Sequence, residues 1–221
     1  MTEKEHKIKA VLFDMDGTLI DTEKFFRIAW PQAAAEFGYH VTDEQALNLR
    51  SLGRPFQPAY LKSQFGEDYP ADEVRARRKE IMEEYLKDGG LQPMPGAEDC
   101  LRRLRDLGVT LAVTTASDME RTTRYLTKLG LVKYFDRLIS ATEVPEGKPS
   151  PDIYLYAVKE LGLTPEDCIA VEDAPNGILS AYRAGLRVIM VPDQSEPDDE
   201  LRPMLYACLG SLSEFTEELL L

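Results

Sequence analysis

Four short apolar runs, at residues 8–13, 109–113, 168–171 and 187–191, set the frame of this 221-residue chain. All four are short, the last three are rich in β-branched residues, and the first breaks into a loop at a glycine, the pattern of buried strands. Helical periodicity surrounds them. Leu101, Leu104 and Leu107 share one face, Tyr125, Leu126 and Leu129 another, and Ile153, Tyr156, Ala157 and Leu161 a third. Alternating strand and helix predicts an α/β fold, a parallel sheet with helices on both faces.

The alternation is interrupted once. Between residues 21 and 93 helical segments such as 24–37 and 72–87 follow one another with no strand pattern between them. This block reads as a small all-α cap domain inserted after the first strand, with hinges near 19–22 and 88–95, where Gly89, Gly90, Pro93, Pro95 and Gly96 cluster. Residues 1–20 and 94–221 then form the catalytic core, and the chain is long enough for that division.

Ligands of open parallel sheets bind at the carboxyl ends of the strands. Asp14 and Asp16 follow the first run, Thr115, Ala116 and Ser117 the second, and Glu172 and Asp173 the third, while Lys148 precedes Pro149 in a loop before a helix. Two acids at i and i+2 leaving a strand point to one side, and Gly17 behind them lets the backbone turn and approach a ligand. Paired acids there cost solvation and repulsion without contributing to packing, so a nucleophile beside an acid is expected. A carboxylate attacking a phosphate meets charge repulsion, which a hard cation would relieve; Asp173 and Glu172 supply further oxygen ligands, and Mg²⁺ is the natural ion.

Ser117-Asp118-Met119-Glu120 reads as a capping box, with Ser117 as the cap. The Thr115 hydroxyl and the amides beside it then lie at a helix N-terminus, where a phosphate is cradled. Pro149 biases Lys148 to an extended backbone that reaches across the site, and Ser150 and Pro151 read as the cap and first residue of the next helix. Taken singly, Thr115, Ser117, Lys148 and the Glu172-Asp173 pair also have purely structural readings, as strand end, helix cap, solvated charge and helix-dipole partner.

The formal charge of −13 argues against a nucleic-acid partner, since no basic face could form against that field. It also requires any bound phosphate to meet a local cation. Cys100, Cys168 and Cys208 are odd in number and form no Cys-x-x-Cys pair, which suggests free thiols in a reducing cytoplasm. No signal-peptide pattern and no apolar run long enough for a membrane span is found. Oligomeric state is left open, a monomer being consistent with everything above.

Together, Asp14-Met15-Asp16-Gly17-Thr18-Leu19, Thr115, Lys148-Pro149 and Glu172-Asp173 resemble the four ordered motifs of the haloacid dehalogenase-like superfamily, across nearly the whole chain. The helical insert is similar to the small cap of the phosphoglycolate phosphatase and β-phosphoglucomutase-like branch. The segments Lys148-Pro149-Ser150-Pro151-Asp152 and Glu172-Asp173-Ala174-Pro175-Asn176-Gly177 are similar to that branch's third and fourth motifs.

The resemblance implies a Rossmann-like, doubly wound core. Mg²⁺ would be held by the Asp14 side chain, the Asp16 carbonyl and Asp173, with Glu172 nearby, and an aspartyl-phosphate would form at Asp14. Asp16 would act as general acid and then base, with Thr115, the Ala116 amide and Lys148 stabilising the transferred group.

It also orders the alternatives. Dehalogenases and phosphonatases of the superfamily usually lack the second acid, so Asp16 counts against both. Mutases of the branch carry a histidine shortly after the first motif; here that stretch reads Glu23-Lys24-Phe25-Phe26-Arg27, and the only histidines are His6 and His40. The expected activity is hydrolysis of a small phosphate monoester, a sugar phosphate or related metabolite, ahead of a sugar-phosphate mutase or a non-catalytic binding protein. In the cap, Arg50 and Arg54 either offer a cation to a second part of the substrate or are solvated charges; Arg54 resembles the mutases' cap arginine by position. Phe25, Phe26 and Trp30, at helical spacing, read first as cap core.

Overall fold

The computed structural model describes residues 7–221, so His6 lies outside the described residues. Six strands form one parallel sheet: β1 Ala10–Phe13, β2 Thr110–Thr115, β3 Arg137–Ser140, β4 Cys168–Glu172, β5 Arg187–Met190 and β6 Ala207–Cys208. Their order is β3-β2-β1-β4-β5-β6, the doubly wound arrangement, with β1 at the centre. Phe13 at the end of β1 is in register with Val113 of β2 and Val171 of β4, so the polar residues after these three strands emerge side by side.

The four apolar runs became β1, β2, β4 and β5. The other two strands lie at the sheet edges, where alternation is weak: β3 opens on exposed Arg137, and β6 has two residues.

Side-chain alternation divides the core between the two faces. Val11, Phe13, Leu111, Val113, Ile169 and Val171 point one way, towards α5 (Ala97–Asp106) and α6 (Met119–Lys128). Ala10, Leu12, Ala112, Ala170, Val188 and Met190 point the other way, towards α7 (Asp152–Glu160) and α8 (Pro175–Arg183). Leu107 departs from the expected stripe: it caps the end of α5 and is exposed, and the buried face of that helix is Cys100, Leu101 and Leu104. The start of α7 is shifted as well. Pro151 takes the cap position, and the Ser150 hydroxyl, rather than capping a backbone N–H, donates to Asp152 Oδ1 at 2.8 Å.

Residues 21–93 carry four helices, α1 Glu23–Glu36, α2 Asp43–Asn48, α3 Phe56–Phe65 and α4 Ala71–Tyr85, and no strand. Thr42 and Gln45 close a capping box on α2. Phe25 of α1 stacks on Tyr85 of α4, with ring centroids 5.6 Å apart, while Phe26 and Trp30 are buried. The two chain segments joining the insert to the sheet run beside each other: the Asp21 amide donates to the Gln92 carbonyl at 3.0 Å and the Met94 amide to the Leu19 carbonyl at 2.9 Å. Among the described residues no helix is long and apolar enough to cross a membrane.

Candidate active site

Lys148 is the largest charge that the fold hides completely, and it anchors the site. Its Nζ donates to Asp14 Oδ1 and Glu172 Oε1, each at 2.5 Å, and to the Thr114 carbonyl at 3.0 Å. Tyr154 of α7 donates to the same Glu172 oxygen at 2.5 Å. Burial works against the ammonium charge, but Asp14 and Glu172 outweigh it and hold Lys148 charged.

One lysine cannot balance the acids around it. One carboxylate oxygen each from Asp14, Glu172 and Asp173 lies within 4.8 Å of the others. Oδ2 of Asp14, Oε2 of Glu172 and Oδ2 of Asp173 are buried without a hydrogen-bond partner. Burial pushes the Asp14 carboxyl up to about 8 against the pull of Lys148, with Glu172 adding to the rise. Burial and the neighbouring Glu23, Asp14 and Glu172 push Asp173 well above the usual carboxylate range. Arg50 offsets part of this, with Nη1 at 3.8 Å from Asp173 Oδ2. Three unpartnered oxygens on clustered carboxylates are the donor set that a hard divalent cation takes, so these residues fit Mg²⁺.

Asp16 sits apart from that cluster, with both oxygens engaged. Its Oδ1 accepts from Thr22 Oγ1 at 2.6 Å and Arg121 Nη2 at 2.5 Å, and its Oδ2 from Ser117 Oγ at 2.8 Å. Ser117 is therefore not the cap of α6. Asp118 is, accepting from the Arg121 amide at 2.9 Å, because the Ser117 hydroxyl is committed to Asp16. Thr115 is buried at the end of β2, and its Oγ1 accepts from the Ser117 amide at 3.0 Å.

Gly17 makes the approach possible. Its φ is +86°, and a Cβ there would lie 2.5 Å from Asp173 Oδ2 and 2.8 Å from Glu23 Cγ.

A narrow cleft of about 60 Å³, partly open to solvent, brings Asp14, Asp16, Thr115, Ala116 and Ser117 together under the helical insert. The insert contributes Phe26 and Trp30, which are both core and cleft wall, whereas Phe25 is not a lining residue. The two arginines flanking Gly53 separate. Arg50 is buried against Asp173 and donates from Nη2 to Ser195 Oγ at 2.5 Å. Arg54 does not line this cleft; it is exposed and paired with Asp72 at 2.5 Å, in a neighbouring depression that Ala116 also borders.

The loop carrying them is fastened to the Lys148 loop. The Gly53 amide donates to the Lys148 carbonyl at 2.8 Å, and the Gly147 amide to the Arg54 carbonyl at 2.7 Å. A Cβ on Gly53 would meet Gly147 Cα at 2.7 Å. Gly53→Ala is expected to push Ser51 and Leu52 out of the cleft wall and lower kcat/KM by about 10–100-fold, the usual consequence of a misplacement near 1 Å. Steady-state kinetics on the purified variant, beside its thermal midpoint, checks this; kinetics equal to wild type would mean that the close approach is incidental.

A family model of haloacid dehalogenase-like hydrolases matches residues 8–185, a span that includes every residue of the cluster. The chain belongs to the haloacid dehalogenase-like hydrolase family. It is 32% identical over 190 residues to the putative phosphatase YhcW of Bacillus subtilis, covering 85% of this chain and 84% of that one. It is 30% identical over 188 residues to the phosphorylated carbohydrates phosphatase of Thermotoga maritima, covering 82% and 84%. Among solved structures, CbbY from Rhodobacter sphaeroides in complex with phosphate superposes with a TM-score of 0.75 at 28% identity, over 94% of this chain and 96% of that one. The class of activity follows: the chain is a phosphatase of this haloacid dehalogenase-like family.

Several site residues of this family member escaped the sequence reading. Glu23 is buried beside Asp173 with Oε2 unpartnered, and burial, then Asp16, pushes its carboxyl well up. It opens α1, where an acid reads as an ordinary first-turn residue. Arg121 had a signal, since a cation in the first turn of α6 opposes the helix dipole. Arg78 of α4 had another: it fills the position between Val74, Ile81 and Met82 in that helix's buried stripe.

Proposed function

We propose that the chain hydrolyses a small phosphate monoester, a sugar phosphate or related metabolite, through a phosphorylated Asp14, with Mg²⁺ as cofactor and in the cytoplasm. The observation that carries this reading is the Asp14 carboxylate itself: one oxygen is held by Lys148 and the other is buried, unpartnered and within the Glu172 and Asp173 cluster.

An Asp14 oxygen forms a bond to phosphorus as the bond from phosphorus to the leaving alcohol breaks. Asp16 gives that alcohol its proton. Water then attacks the phosphorus of the aspartyl-phosphate and passes its proton to Asp16, which restores both carboxyl groups. Thr22, Ser117 and Arg121 fix the Asp16 rotamer from two sides of the cleft. Thr115, Ala116, Ser117 and Lys148 surround the transferred group, the lysine as its fixed positive charge. Asp14, Glu172 and Asp173, with the Asp16 carbonyl, would hold Mg²⁺, which supplies charge neutralisation on the phosphate oxygens. Residues 21–93 act as a cap over a core of residues 1–20 and 94–221. Among the described residues no histidine lines the cleft, and Glu23 and Phe26, from the stretch after the first motif in which mutases of this branch carry one, form part of its wall, which favours hydrolysis over phosphoryl return to a sugar.

Phosphate release from a panel of sugar phosphates, small monoesters and 4-nitrophenyl phosphate, with Mg²⁺ or chelator, tests the reaction. Silence across the panel would remove the phosphatase assignment. The metal set has its own readout. Mg²⁺ at about 100 times its dissociation constant stabilises by about 2.7 kcal/mol, which raises the thermal midpoint by about 5–10 °C for a chain of this size. Asp173→Asn is expected to abolish that rise. An equal rise in the variant would place the ion elsewhere.

A further inference from the structure

Arg121 combines two costs at one position. It stands in the first turn of α6, where its charge opposes the helix dipole, and its side chain is only 12% exposed. Burial works against the guanidinium charge, but Asp16 outweighs burial and holds the group charged. Two rings clamp it, the centroid of Phe26 at 4.8 Å and that of Tyr125 at 5.0 Å. A cation held so firmly in an unfavourable place calls for a use, and its hydrogen bonds supply one.

A carboxylate has room for about four hydrogen bonds, shared equally between its oxygens. On Asp16, Oδ1 accepts from Thr22 Oγ1 at 2.6 Å and from Arg121 Nη2 at 2.5 Å, and is full. Oδ2 accepts only from Ser117 Oγ, at 2.8 Å. Arg121 sets the direction of that bond too. A guanidinium only donates, so the Ser117 oxygen accepts from Arg121 Nη1 at 2.6 Å, and its single hydrogen is left to point at Oδ2. Among the described residues these contacts leave one unfilled position on the carboxylate, and it belongs to Oδ2.

We propose that Arg121 is a positioning residue for proton transfer: by filling Oδ1 and turning the Ser117 hydroxyl, it confines to Oδ2 the proton that Asp16 gives to the leaving alcohol. Arg121 acts through Asp16 and Ser117 and does not itself touch the reacting atoms. The bond from Oδ2 to the proton breaks as the alcohol oxygen takes the proton, its electron pair staying on the carboxylate, and the attacking water returns a proton to the same atom. The inference rests on the phosphatase reading above and deepens it to one oxygen of the general acid.

The test uses leaving groups that need the proton to different degrees. kcat/KM reports the steps up to departure of the alcohol. It is measured for 4-nitrophenyl phosphate, whose phenolate leaves with little help, and for phenyl phosphate, whose poorer leaving group gains more from an acid, with wild type, Arg121→Met and Arg121→Lys. Arg121→Met is expected to lower kcat/KM for phenyl phosphate by about 10–100-fold more than for 4-nitrophenyl phosphate, a part of the roughly 10²–10⁴-fold that general acid catalysis supplies. Arg121→Lys keeps the charge but not the planar fork that spans Asp16 and Ser117, and should recover part of that difference. A purely structural role predicts an equal fall, because a distorted cleft does not distinguish the two leaving groups. Where circular dichroism shows Arg121→Met unfolded, Arg121→Gln is measured in its place on the same pair. An equal fall for both esters in a folded variant, or no fall, overturns the positioning role while hydrolysis by wild type leaves the phosphatase reading standing. Wild-type turnover of 4-nitrophenyl phosphate alone overturns it as well, since an acid in place would carry the phenyl ester. Absence of hydrolysis of both esters in wild type brings down both readings.

Discussion

Lys148→Met is expected to lower the stability of the protein by about 3–5 kcal/mol, the range for stranding buried charge by removing its partner. Asp14 and Glu172 both lose the ammonium group that each meets at 2.5 Å, and neither can turn to solvent, because both are buried. Tyr154 still donates to Glu172, so part of that carboxylate's solvation survives, whereas Asp14 keeps no side-chain donor. Adding Glu172→Gln to Lys148→Met should therefore recover only part of the loss. Chemical denaturation of the wild type, the single variants and the double variant measures the coupling directly. A Lys148→Met protein as stable as wild type would mean that the acids take up a proton in place of the ammonium contact, as the raised Asp14 carboxyl allows, and that the lysine charge adds nothing net to stability.

Asp14→Asn has the largest expected effect on rate. An amide cannot form the acyl-phosphate, so kcat should fall by about 10⁴–10⁶-fold, the scale seen when a nucleophile is removed from an otherwise intact site. The fold should not suffer. Asp14 is one of three adjacent buried carboxyl groups whose mutual repulsion the asparagine relieves, and its amide can keep the contact with Lys148 through its carbonyl oxygen. The thermal midpoint in the absence of divalent metal is thus expected to be unchanged or higher. Residual turnover above about 1% of wild type, with contamination excluded by a second preparation, would remove Asp14 as the nucleophile.

Asp14 and Asp16 were legible because their cost is visible in the sequence: paired acids at the end of a buried run serve no packing purpose. The parallel sheet was legible for a related reason, since a strand covered on both faces must be apolar, as β1 is throughout and β4 is up to Glu172. Edge strand β3 had no such signature, and neither did the register that sets Phe13 level with Val113 and Val171. The choice between Ser117 and Asp118 as the cap of α6 turns on a hydrogen bond to Asp16, about a hundred residues earlier in the chain, which local sequence cannot express. Arg78 shows the same limit from the other side. Within Arg75-Ala76-Arg77-Arg78-Lys79 the charges look alike, and the apolar spacing of Val74, Ile81 and Met82 is the single faint cue that α4 turns Arg77 outward to Glu36 and Arg78 inward to Phe26 and Trp30.

The seam where Gly53 meets Gly147 would make admission to the cleft depend on how readily two loops part. Two backbone hydrogen bonds cross it, and the Asn176 side chain adds two more, to the Arg50 carbonyl at 2.8 Å and the Asn48 carbonyl at 3.3 Å. At a net 0.5–1.5 kcal/mol each, parting these four bonds would cost about 2–6 kcal/mol. The seam would then set a tempo as well as a threshold, since a product cannot depart faster than the loops separate, however quick the chemistry beneath them.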